Sequence, residues 1–69
     1  MKELLYRLTA LRVTGRGAGC DYEMHILAEG KQKAVRGFCE KVADLDACVK
    51  AHIRQVYLEL TGKTLPDNA

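Results

Sequence analysis

The stretch VRGFCEKVADLDACVKAHIRQVYLEL, residues 35–60, is the element around which the chain is organised. Within it Val35, Phe38, Val42, Leu45, Val49, Ile53, Val56 and Leu60 recur at spacings of three and four, which places side chains on one face of an α-helix. A stripe of this kind needs a partner surface, and the chain's other apolar material lies between residues 4 and 28. The stripe stays in phase across residues 42 to 49, so one continuous helix fits it, and so do two consecutive helices with Asp44 or Asp46 as the second N-cap. A single helix of that length is about 40 Å long and overhangs a short hairpin. That favours two helices in a monomer or one long helix in a dimer. Gly62, Lys63 and Pro66 form a helix stop, so the helix is expected to end at Leu60-Thr61. Residues 56–61 also alternate and are rich in strand formers, but the stop signal favours helix there.

Upstream, residues 4–14 and 20–29 read as two strands joined by Gly15-Arg16-Gly17-Ala18-Gly19. In the second, Cys20, Tyr22, Met24, Ile26 and Ala28 alternate with Asp21, Glu23, His25, Leu27 and Glu29, a half-buried strand pattern. A five-residue turn sets Thr14 opposite Cys20 and pairs Arg12 with Tyr22, Ala10 with Met24, Leu8 with Ile26 and Tyr6 with Ala28 on the core side. Leu5, Leu11, Val13 and Leu27 then fall on the other side, beside Arg7 and Thr9. The expected fold class is α+β: an N-terminal antiparallel β-hairpin packed on one long or two consecutive C-terminal α-helices. Residues 1–65 form one small domain in this reading, and residues 66–69 form a frayed tail.

Sixty-nine residues with 48% hydrophobic and 29% charged content and one proline describe a globular chain. A chain this short buries only about 60% of its unfolded surface, so its stability margin is thin. The cysteines at 20, 39 and 48 lack the close spacing of a secreted disulfide framework, which points to reduced thiols and a cytoplasmic protein. Glu3, Arg7 and Arg12 interrupt the early apolar run, against a signal peptide. No run reaches membrane-spanning length, and no membrane partner is expected. The formal charge is +2, milder than a dedicated nucleic-acid module usually carries, although a local patch would suffice.

The chain's short motifs mostly fail on their context. Gly62-Lys63-Thr64 has the end of a phosphate-binding loop, but Tyr57 stands where its first glycine belongs and no helix follows. Gly15, Gly17 and Gly19 imitate a dinucleotide fingerprint but lead into a strand. Asp44, Cys48 and His52 share one helical edge, yet side chains stacked along one helix do not surround a substrate. Cys20, Cys39, Cys48 and His52, or His25, have enough donor atoms for zinc but no Cys-x2–4-Cys knuckle. No catalytic, cofactor or metal residue is therefore assigned. Two binding readings remain. The first is a non-enzymatic protein–protein interaction module, homodimeric through the hairpin, with Leu5, Leu11, Val13 and Leu27 as its interface, since a lone hairpin leaves two open edges. The second is a small nucleic-acid-binding regulator using the basic open end of the hairpin, Arg7, Lys31, Lys33 and Arg36 with Lys2, or the ribbon face with Arg7, Thr9 and His25 at base edges.

Overall fold

The computed structural model describes residues 5–66. Lys2, Glu3, the expected strand start at residue 4 and the tail from residue 67 lie outside them. Three strands, β1 (Arg7–Arg16), β2 (Gly19–Ala28) and β3 (Lys31–Cys39), are followed by a 3-10 turn at Val42–Asp44 and one helix, α1 (Leu45–Thr61). The strands form an antiparallel sheet in the order β1-β2-β3. The fold is α+β, a hairpin extended by a third strand and closed by a C-terminal helix packed on the sheet.

β2 is central, and its alternation is what the sequence predicts. Cys20, Tyr22, Met24, Ile26 and Ala28 are buried, and the intervening residues are half-exposed. α1 crosses this face over β2 and β3. It buries Val49, Ile53, Val56 and Tyr57 against the sheet together with Leu65, and Tyr6, Leu8, Val35, Leu45 and Leu60 pack around them. Gly62 ends the helix in a left-handed conformation, with its N–H donating to the Leu58 carbonyl at 2.7 Å. Residues 56–61 are helical, and Asp44 is the helix N-cap residue.

The helix expected from Val35 starts ten residues later, because residues 31–39 are a strand. The turn Glu29-Gly30, with φ of 51° and 77°, has the sign pattern of a type I′ hairpin turn and sends the chain back along β2. Two features hide β3 in the sequence. Its helix-facing positions begin with Lys31 and Lys33, whose ammonium groups reach across to α1. Lys33 Nζ meets Glu59 Oε2 at 2.6 Å and Lys31 Nζ donates to the Leu60 carbonyl at 3.1 Å. Val35 and Phe38, spaced by three, imitate a helical stripe but point to opposite faces of the strand. Phe38 pairs with Asp21 on the outer face and is 49% exposed, and Val42, in the 3-10 turn, is exposed as well.

The expected register holds at one end of the first hairpin and shifts at the other. Arg7 pairs with Leu27 and Leu8 with Ile26, as predicted. The turn, however, takes two residues instead of five, because Gly17 at φ 61° lets Gly15 and Arg16 pair with Cys20 and Gly19. A bulge between Leu8 and Ala10 absorbs the one-residue difference. Beyond it every side chain changes face, and Leu11 lies opposite Met24 and Val13 opposite Tyr22.

Candidate binding face

The outer face of the sheet, away from α1, has no element packed over it among the described residues. Reading the two registers together gives its cross-strand rows: Arg7–Leu27–Gln32, Ala10–His25–Ala34, Arg12–Glu23–Arg36 and Thr14–Asp21–Phe38, with Arg16 at the tip. Among the described residues, four of the ten Lys and Arg and two of the seven Asp and Glu stand here, a formal +2 on this face against +1 for the rest.

Its two carboxylates are engaged. Arg36 Nε donates to Glu23 Oε2 at 2.8 Å, and Arg16 Nη1 lies 3.4 Å from Asp21 Oδ1. The hydrogen bond and charge of Arg36 hold the Glu23 carboxyl below its ordinary pKa. Both arginines remain largely solvent-accessible, at 84% and 71%, so their pairs are weak and exchangeable. Arg16 also lies 5.9 Å from the centre of the Phe38 ring. Arg12, Thr14, Arg16, Asp21, Glu23 and Arg36 line a shallow depression of about 450 Å³. Thr9 sits at the bulge, donating to the His25 carbonyl at 3.4 Å and accepting from Gln32 Nε2 at 3.5 Å. These contacts anchor the middle of the face.

The residues singled out from sequence are divided by this geometry. Leu5 and Leu27 do meet, with Arg7, around a second shallow depression at the open end. Leu11 and Val13 lie on the helix side of the sheet, exposed because α1 covers β2 and β3 instead of β1. The four leucine and valine side chains therefore do not form one patch. Arg7 and Arg36 are on the outer face, whereas Lys31 and Lys33 are on the helix side and tied to α1. Arg12 and Arg16 belong to the outer face and escape the sequence reading, since their position depends on the bulge.

A second cluster lies under the start of α1. Cys39 Sγ is 2.9 Å from Cys48 Sγ, and Cys20 is the cross-strand partner of Cys39. The hydrogen bond to Cys39, burial and the nearby Cys39 and Asp44 push the Cys48 thiol up to about 11, and burial raises Cys20. Next to them Tyr22 and His52 share a hydrogen bond of 2.7 Å between the hydroxyl and Nδ1. Burial raises the Tyr22 phenol. Among the described residues no group of three or more His, Cys, Asp and Glu side chains is placed to hold a metal ion. No described helix is long and apolar enough to cross a membrane.

Comparison with family models, curated proteins and solved structures finds no match to the chain.

Proposed function

We propose that this chain is a non-enzymatic binding module whose outer sheet face docks on nucleic acid. The observation that carries the reading is the net positive charge of that open face, four arginines, Arg7, Arg12, Arg16 and Arg36, against the two carboxylates Asp21 and Glu23. From Arg7 to Arg16 the arginines span about 30 Å along β1, and the sheet is about 10 Å across its three strands. A band of that size lies along a groove about 12 Å wide. Guanidinium groups suit it because their planar donors grip phosphate oxygens in pairs, and the exposed Phe38 offers a ring to an unstacked base.

Fluorescence anisotropy with labelled duplex and single-stranded oligonucleotides at several salt concentrations tests this. With two to four phosphates neutralised, log K should fall against log salt with a slope of about −2 to −4. Arg7→Ala and Arg12→Ala should each weaken binding and flatten the slope, whereas Lys31→Ala and Lys33→Ala, on the helix side, should not. Absence of binding at low salt, or equal losses from the two pairs, refutes the reading.

Self-association is the second reading, favoured by a different observation: β1 is an edge strand beside the exposed Leu11 and Val13. A second copy pairing along that edge would cover both and join two sheets across a two-fold axis. Leu11→Glu should then reduce a dimer to a monomer by light scattering while Leu27→Glu, on the opposite face, leaves the mass unchanged. A wild-type protein that is monomeric at high concentration rules the dimer out.

A further inference from the structure

We propose that Cys39 and Cys48 form a reversible oxidation site, closing to an intramolecular disulfide that ties the end of β3 to the start of α1 when the protein meets a small-molecule disulfide. The sulfur atoms already stand 2.9 Å apart, and a disulfide needs about 2.05 Å, so closure asks for a shift of about 1 Å. Each thiol is brought there by a different element. Cys39 is the last residue of β3 and is buried, while Cys48 is half-buried on the flank of α1 that faces β3. The segment between them, residues 40–44, is exposed and can take up the small adjustment.

The exchange proceeds in two steps. Cys48, the more accessible sulfur, loses its proton and attacks one sulfur of the oxidant RSSR. The RS–SR bond breaks, RS⁻ leaves and is protonated, and a Cys48–S–SR mixed disulfide forms. Cys39 then loses its proton and attacks the Cys48 sulfur, and the bond to SR breaks with release of a second RSH. Two protein thiols give up two electrons and two protons, and one RSSR takes them as two RSH. The first attack is the slow one, because Cys48 holds its proton firmly. The second is intramolecular and begins at contact distance. Cys20, opposite Cys39 in the β2–β3 ladder, is the competing partner.

The test is incubation of the folded full chain with oxidised glutathione, acid quenching, intact mass measurement and peptide mapping. The wild-type protein should lose two hydrogen atoms, carry no glutathione, yield a peptide pair linked through Cys39 and Cys48, and melt at a higher temperature until dithiothreitol restores the starting value. Cys20→Ser should still close the bond. Cys39→Ser should stop at a stable glutathione adduct on Cys48; if that variant does not fold, the map of the wild-type and Cys20→Ser proteins still decides. A Cys20–Cys39 link, a lasting glutathione adduct on the wild-type protein, or two unmodified thiols after prolonged exposure overturns the proposal.

Discussion

Replacing Gly37 by alanine should destabilise the domain, although the same change at an ordinary strand position gains about 0.5–1 kcal/mol. Gly37 lies opposite Tyr22 in the β2–β3 ladder, and a Cβ there would run into the Tyr22 ring at its Cζ and hydroxyl. The ring cannot swing away freely, since Tyr22 is 6% exposed and its hydroxyl is hydrogen-bonded to His52. Forcing an extra methyl into a packed site costs about 1–3 kcal/mol, and losing the hydrogen bond adds about 0.5–1.5 kcal/mol if the ring is displaced. Set against the ordinary gain, the central values leave a net loss of about 2 kcal/mol. A domain of this size has about 3–10 kcal/mol in all, so the variant sits much nearer its unfolding limit. With a urea slope of about 1 kcal/mol/M, the midpoint followed by circular dichroism should fall by about 2 M. Tyr22→Leu supplies the control, because it removes the ring end that the new methyl would strike. Gly37→Ala should be neutral or stabilising in that background. If it stabilises the wild-type protein, or costs the same in both backgrounds, the ring is not over Gly37 and the packing argument fails.

Gly19→Ala should be worse than Gly37→Ala, because its Cβ would meet the carbonyl oxygens of Cys39 and Glu40, and backbone cannot rotate away; a smaller urea shift than at Gly37 would count against the β2–β3 register there. Ile26→Ala, at a fully buried position, should cost about 2–5 kcal/mol, and chemical denaturation showing under 1 kcal/mol would move Ile26 out of the core. Glu59 has its carboxyl pKa held below the ordinary 4.5 by the hydrogen bond and charge of Lys33. Its contribution to stability is therefore present above 4.5 and lost as pH falls through the lower folded value. Glu59→Gln should flatten that part of the acid-unfolding curve, and an unchanged acid limb would show the pair to be thermodynamically silent.

What was legible in the chain follows from how local each signal is. The strict alternation of Cys20 to Ala28 identifies a strand with one buried face, because the two-residue period is a property of the strand itself. The phase of Leu45, Val49, Ile53, Val56 and Leu60, with Gly62 after it, identifies the helix and its end in the same way. Together they determine an α+β domain with a helix over a sheet. β3 was not legible, because an edge strand whose inward positions include two lysines carries no hydrophobic period. Its lysines make sense only once Glu59 and the Leu60 carbonyl stand across from them.

The candidate face depends on the tertiary structure more than any element does. A register continuous through the first hairpin puts Arg12 on the core side, leaves Arg16 in the turn and sets Leu11 and Val13 beside Leu5. One bulge at Thr9, matched to a two-residue turn at Gly17, reverses Arg12, Leu11 and Val13 and brings Arg16 into the strand. Turn length and bulge position are set jointly by pairing across the whole hairpin and by the burial of Met24 and Ile26 under α1. Composition and local period fix which residues are apolar, basic or thiol-bearing and how two elements repeat. Only folding decided which of them share a face, because in a strand a one-residue slip exchanges the inside for the outside.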